Sequence, residues 1–359
     1  MRAHNFSAGP AVLPEPVLQQ LQADLWEVRD SGMGILECSH RSTTFEAILA
    51  EAKARLARLL ALSDDQEVLF LHGGARTQFY QWPMNVLRGG RATYFDTGIW
   101  AAGAIEDARR YGTVDVLFSS ASTTYDRVPQ PSEWGNPPAG TVYLHYTSNN
   151  TVAGSEFHYV PDAQGALLAC DMSSNFLSRP VEGSRFDYIY AGAQKNAGPS
   201  GVTVVVLRRS LLERMDPNLP AMLRYETSVK NNSMFNTPCT FGIHAVGLVA
   251  KWVEDQGGLA ALEVRNINKS NKVYDVIDRT GFWKGRVVPS SRSRMNLTFS
   301  TGSTALDDRF VKAAKAAGLT ELKGHRTLGG LRASLYNAQT DPAIDALVSF
   351  MSQFEAQNG

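Results

Sequence analysis

Two apolar runs in this 359-residue chain end in residues that could do chemistry together. The run LLACD (167–171) closes on Asp171, and YIYAG (188–192) leads into Ala-Gln-Lys-Asn with Lys195 at its centre. In a parallel α/β sheet, ligands collect outside the carboxyl ends of the strands, so an acid and an amine at two such ends face one site. A lysine that bonds a carbonyl carbon and then moves protons, beside a carboxylate that keeps a pyridine nitrogen protonated, is the pair that pyridoxal-phosphate chemistry requires. Singly, neither residue means much. A loop lysine is ordinarily a solvated charge, and an Asp after a strand is ordinarily a cap or turn former.

Further residues fit the same chemistry. The turn His-Gly-Gly-Ala-Arg-Thr (72–77) joins a strand to a helix, where free backbone N–H groups and the helix dipole suit a phosphate. Most such turns use glycine for backbone reasons alone. Arg76, however, is unfavourably placed at a helix start unless an anion neutralises it there. Asp-Thr-Gly-Ile-Trp (96–100) follows another strand and offers Trp100 to a flat ring, with a core tryptophan as the plain alternative. His40-Arg41, His325-Arg326 and Arg332 sit beside Gly or Ser and would suit a substrate carrying two or three negative charges.

The elements that must position these groups are legible in the hydrophobic pattern. Helical spacing covers Glu15–Arg29 (Leu18, Leu21, Leu25, Val28) and Phe45–Leu60 (Ile48, Leu49, Leu56, Leu59). Short apolar runs at 68–72, 92–96, 114–118, 141–146, 167–171, 188–192 and 202–207 then alternate with helical stretches from about Thr77 and through Trp100–Tyr111. That rhythm predicts an α/β domain around a largely parallel sheet, and the near-continuous apolar strands predict burial on both faces. A long helix from Phe241 to about Gln256, then Gly257-Gly258 and another helix, marks a junction to a smaller C-terminal domain from roughly 262 to 359. Pro129–Pro138 reads as a surface loop.

Composition narrows the function. Lys+Arg and Asp+Glu stand at 35 each, which removes any global electrostatic pull toward nucleic acid or an anionic membrane. No apolar run approaches the ~20 residues of a membrane span, and the N-terminal MRAHNFSAGPAVLP does not look like an export signal, so a cytoplasmic home is expected. Cys38, Cys170 and Cys239 are far apart with no CxxC spacing, which offers neither a disulfide framework nor a metal site. No GxGxxG follows a strand, which disfavours a dinucleotide enzyme.

With these motifs assembled, the chain resembles the phosphoserine aminotransferase family, within the class-V branch of fold-type I (aspartate aminotransferase-like) pyridoxal-phosphate enzymes. The likeness runs through NFSAGP (5–10), SHR (39–41), FLHGGAR (70–76), SSNFLSRP (173–180), YAGAQKN (190–196), SMFNTP (233–238), SRMN (293–296) and KGHR, GGLRAS and YNA within 323–338. It implies a large cofactor domain over 16–261 and a small domain made of 1–15 with 262–359. It also implies Lys195 as the Schiff-base lysine and Asp171 as partner of the pyridine nitrogen. Trp100 would stack on the ring and Thr151 would hydrogen-bond its phenolic oxygen. The cofactor phosphate would be held by the backbone at Ala75, by Arg76 and Gln194, and by Asn236 and Thr237 of a neighbouring subunit in a homodimer with shared sites. Arg332 would grip the α-carboxylate. His40, Arg41, His325 and Arg326, some from the partner chain, would hold the distal phosphate or the side-chain carboxylate of glutamate. The implied reaction moves the amino group of L-glutamate to 3-phosphohydroxypyruvate in serine biosynthesis, with phosphohydroxythreonine formation in pyridoxine biosynthesis as a second use. Two departures from the family pattern stand out: Ala75 where many members carry a third glycine, and the segment His-Tyr-Thr-Ser-Asn-Asn-Thr (145–151), which replaces a Cys-Pro-Asn-Glu version yet keeps Asn149 and Thr151. The rival readings are a cysteine desulfurase, an alanine–glyoxylate aminotransferase and a cofactor-bearing module without catalysis.

Overall fold

The computed structural model describes residues 2–359. Seven of its strands form one sheet: β1 (Gln66–His72), β2 (Arg91–Asp96), β3 (Thr113–Ser119), β4 (Thr141–Thr147), β5 (Leu167–Asp171), β6 (Tyr188–Gly192) and β7 (Val202–Arg208). Their spatial order is β1-β7-β6-β5-β4-β2-β3. Every neighbouring pair is parallel except those of β7, which runs antiparallel to β1 and β6. That exception positions the lysine. A parallel successor to β6 would need a long crossover, whereas antiparallel β7 lets the chain return through the short connector 193–201. Lys195 therefore stays at the edge where β1, β2, β4, β5 and β6 all end.

The sheet is sandwiched by helices, because alternate residues of each strand face opposite sides. Val68, Phe70, Leu144, Leu168 and Cys170 pack with α2 (Thr43–Leu59) and α5 (Thr240–Asp255). Leu69, Tyr94, Tyr143, Ala169 and Tyr188 pack with α3 (Arg76–Val86) and α4 (Ile99–Ala108). The edge strand β3 departs from the expected two-sided burial, since none of its residues is fully buried. Helix α2 shows how local sequence sets an element. Ser42 caps it by accepting the Phe45 N–H at 3.2 Å, and Phe45, Ile48, Leu49, Ala52 and Leu56 form one buried stripe.

A second core gathers the C-terminal part around the sheet β8 (Lys284–Gly285), β9 (Asn296–Ser300) and β10 (Leu331–Ser334), with α7 (Thr304–Ala316) and α8 (Asp341–Asn358). Phe6 joins that core, and His4–Asn5 pair in parallel with Leu319–Thr320. Between the two cores runs α6 (Gly258–Arg279). Its Leu259 and Leu262 belong to the first core and its Val273, Val276 and Ile277 to the second, so the passage from one to the other lies within a continuous helix. Among the described residues, no helix is long and apolar enough to cross a membrane.

Helix α1 spans Glu15–Asp24 and stops five residues short of the Arg29 expected from its apolar spacing. The chain instead folds back: Ile35 N–H donates to the Asp24 carbonyl at 2.8 Å and Val28 N–H to the Met33 carbonyl at 2.9 Å. Arg29 and Asp30 are left-handed, and Gly34 passes so close to the Leu25 carbonyl that a Cβ there would lie 2.1 Å from its oxygen. Val28 is buried as the periodicity requires, but from a turn, while Leu25 is left 46% exposed.

Candidate active site

At the carboxyl edge of the large sheet lies a cleft of about 650 Å³, counting its open mouth. Ala75, Arg76, Trp100, Thr151, Asp171, Gln194 and Lys195 all line it. The β6–β7 connector brings Lys195 to its base, where the amine donates to Thr151 Oγ1 at 2.6 Å and Ser174 Oγ at 2.8 Å. Burial lowers the Lys195 pKa to about 8, against an upward pull from Asp171, and Arg332 lowers it further. A neutral amine is the form that attacks a carbonyl and accepts a proton, so this depression brings the reactive state toward neutral pH. Amine-directed labelling of Lys195 in cofactor-free protein is expected to rise with a midpoint near pH 8. A midpoint near 10.5, the ordinary lysine value, would contradict the burial argument.

Asp171 ends β5 and is buried. Burial raises its pKa, while the Lys195 charge and Ser173, whose N–H donates to Oδ1 at 2.9 Å, pull it down. A carboxylate held so deep needs a cationic partner, and a protonated ring nitrogen is the kind of group that supplies one.

Helix α3 begins at Arg76 with no side-chain cap and no acid in its first turn. Among the described residues, no hydrogen-bond acceptor meets the N–H groups of Gly74, Ala75 or Arg76. Open donors, the positive end of the helix and a guanidinium at one point form a cradle for a phosphate. Ala75 has φ −53°, an ordinary helical value, so alanine costs nothing where a third glycine was expected; the left-handed φ of +95° falls on Gly73. The residues present thus fit pyridoxal phosphate at each of its ends.

Trp100 enters from the first turn of α4, with its indole Nε1 unpartnered. It is placed by the close approach of Gly98 to Asn150, where a Cβ would lie 2.4 Å from Asn150 Oδ1. Asn150 cannot swing away freely, because its amide donates to Thr97 Oγ1 at 3.2 Å and Ser155 Oγ at 3.1 Å. Gly98→Ala is therefore expected to cost about 1–3 kcal/mol of stability and to weaken cofactor binding by displacing Trp100. Unfolding curves and a cofactor titration matching the wild type would show that the site tolerates the methyl group.

Arg332, on β10, donates to the Thr151 carbonyl at 3.3 Å, and its Nε has no partner. His325 is close enough to Arg332 and Arg326 that their charges, after burial, lower its pKa. Arg332 thus reaches the site through Thr151 and Lys195, with the imidazole of His325 and the charge of Arg326 near it. His40 and Arg41 do not join them within one chain: they lie in the loop before α2, with Arg41 exposed. Asn236 and Thr237 are also exposed and do not line the cleft. Asn236 lines a separate hollow with His72 and Phe235, and the Thr237 carbonyl accepts from His72 Nε2 at 2.8 Å. Ser174, a direct partner of Lys195, was not singled out from the sequence; its only signal was its place just after the strand-end acid.

The profile of the Aminotransferase class-V family matches residues 3–347. The phosphoserine aminotransferase of Pseudomonas aeruginosa is 47% identical over 359 residues, covering 100% of this chain and 99% of the relative. Among solved structures, phosphoserine aminotransferase from Bacillus circulans subsp. alkalophilus superposes with a TM-score of 0.97 at 47% identity, covering 100% of this chain and 99% of that one. The pyridoxal-phosphate-bound phosphoserine aminotransferase from Trichomonas vaginalis superposes with a TM-score of 0.92 at 38% identity, covering 98% and 100%.

Proposed function

The chain belongs to the class-V aminotransferase family, and we propose that it transfers the amino group of L-glutamate reversibly to 3-phosphohydroxypyruvate, giving O-phospho-L-serine and 2-oxoglutarate. The observation that carries this reading is Lys195 at the base of a cleft with Asp171 behind it, an uncapped helix N-terminus at one end and the Arg332 guanidinium bonded to Thr151 of its lining. When bound, pyridoxal 5'-phosphate supplies a carbonyl carbon that takes the amino group and a pyridine ring that accepts electrons.

The chain's own groups supply the rest. Lys195 anchors the cofactor, and its amine moves the α-proton of the donor, with Thr151 and Ser174 fixing the direction of its lone pair. Asp171 keeps the ring nitrogen protonated. The amides at 74–76, Arg76 and Gln194 hold the phosphate, and Trp100 covers the ring. Arg332 takes the α-carboxylate that glutamate and the phosphorylated acid share, and His325 and Arg326 meet the distal anion. One cationic rim can thus serve both substrates in turn.

A homodimer with two shared sites completes the arrangement, its interface isologous. The exposure of Asn236, Thr237 and Arg41, none of which lines the cleft of its own chain, supports their serving the partner's site. Arg332→Ala is expected to raise KM for glutamate by roughly 10²-fold, the loss of a charge-assisted pair, with a smaller effect on kcat. Equal KM values would remove Arg332 from carboxylate binding.

The test is product identity. Protein loaded with the cofactor should form O-phosphoserine and 2-oxoglutarate from glutamate and 3-phosphohydroxypyruvate, but release no sulfide from cysteine and no glycine from alanine and glyoxylate. Sulfide release would favour the desulfurase reading. Cys38 and Cys170 speak against that reading, since both are buried and burial pushes the Cys170 thiol well above its usual range.

A further inference from the structure

Behind Asp171 a line of polar side chains runs back into the sheet. Strand register pairs Asp171 with Tyr190, and Thr147 of β4 with Asp171, so His145, Asp171 and Tyr190 share the face that packs against α3. The Tyr190 hydroxyl lies 3.0 Å from His145 Nε2, with the two rings 5.9 Å apart and 26° from parallel. All three side chains are buried, and His145 Nδ1 has no partner.

That orphan atom fixes the direction of the line. A buried N–H without an acceptor is rarer and costlier than a bare lone pair, so the His145 proton belongs on Nε2. His145 then donates to the Tyr190 oxygen, which leaves the Tyr190 proton for Asp171. Burial holds the His145 pKa down to about 3, so the imidazole stays neutral and brings no positive charge to compete with the ring nitrogen. The other groups facing Asp171 are the Lys195 amine, the Ser173 N–H, the Tyr188 hydroxyl and the Cys170 thiol.

We infer that Tyr190 and His145 are positioning residues for Asp171. The His145 Nε2–H bond to Tyr190 holds the tyrosine hydroxyl on the strand position paired with Asp171, where it pulls the carboxyl pKa down and so keeps Asp171 ionised and aimed at the ring nitrogen of the cofactor. This rests on the reading of Asp171 as partner of that nitrogen. An isolated buried carboxylate would otherwise tend to protonate and lose its hold on the pyridinium. Charge-assisted donors oppose that tendency at close range without adding charge.

The experiment loads the wild type, Tyr190→Phe, His145→Leu and His145→Gln with ring-15N-labelled pyridoxal phosphate and records the nitrogen chemical shift and the cofactor dissociation constant. The wild type should show a protonated ring nitrogen. Tyr190→Phe should move the shift toward neutral pyridine and weaken cofactor binding about tenfold. His145→Leu should move both the same way by less, and His145→Gln, which can donate from a similar position, should return toward the wild type. Wild-type shift and affinity in both Tyr190→Phe and His145→Leu would overturn the inference while leaving the role of Asp171 intact. A neutral nitrogen in the wild type would instead remove the Asp171 reading, and this inference with it. Should Tyr190→Phe fail to fold, the contrast between His145→Leu and His145→Gln decides by itself: recovery in the glutamine variant supports the relay, and its absence overturns it.

Discussion

Lys195→Ala should lower steady-state amino transfer by roughly 10⁴-fold or more while leaving the protein folded. The substitution removes both the covalent anchor and the proton carrier, and the nearest groups, Thr151 and Ser174, are hydroxyls that cannot replace an amine. Stability should not suffer, and the sign follows from the pKa. Lys195 falls from 10.5 in the unfolded chain to about 8 in the folded one. The folded state therefore binds its proton less tightly. As pH drops from 10.5 toward 8 the unfolded chain takes up the proton first and stability falls, after which the penalty is constant. At pH 7 the wild type carries that penalty in full and the alanine variant does not. Thermal unfolding of the cofactor-free variant at pH 7 should occur at or above the temperature of the cofactor-free wild type, with the difference disappearing above pH 10.5. Appreciable turnover by this variant, or its collapse at pH 7, would contradict the account.

Asp171→Asn carries the second largest expected effect, about 10²–10³-fold in kcat, the scale of removing one preorganised electrostatic contact from a reacting centre. The amide keeps the shape and can still accept from the Ser173 N–H, so the cleft should persist. What disappears is the charge that holds the ring nitrogen protonated and that draws the Lys195 pKa upward. Because the wild-type carboxylate is buried at a cost, the variant should be as stable as the wild type or more so. A kcat within a few-fold of the wild type would mean that the ring nitrogen has no need of Asp171.

The reach of the sequence differs from residue to residue. Asp171 and Lys195 were legible because β5 and β6 are written as plain apolar runs whose ends are unmistakable, and the ends of parallel strands are where ligands bind. The uncapped start of α3 was legible through the misplaced charge of Arg76. The end of α1 was not, because Leu25 and Val28 continue its apolar spacing and no glycine or proline marks the stop at Asp24; the left-handed residues Arg29, Asp30 and Gly32 come only later. His145 and Tyr190 were hidden for a different reason. Inside apolar strands they read as core, and only the sheet register places them behind Asp171. Asn236 and Thr237 came from family resemblance alone, His40 and Arg41 were visible only as a basic pair, and none of the four lines the cleft of its own chain. No periodicity can express a contact made across a subunit boundary.

The central claim is that one cofactor on Lys195 accepts an amino group from glutamate and passes it to a phosphorylated keto acid. Its most direct test is the visible absorption band of the lysine-bound cofactor in the purified, cofactor-loaded protein, followed through two additions. The account predicts that glutamate bleaches the band and that 3-phosphohydroxypyruvate then restores it. A band that neither addition changes would contradict the proposed substrates, and no band after loading with pyridoxal phosphate would contradict the pairing of Lys195 with Asp171 itself.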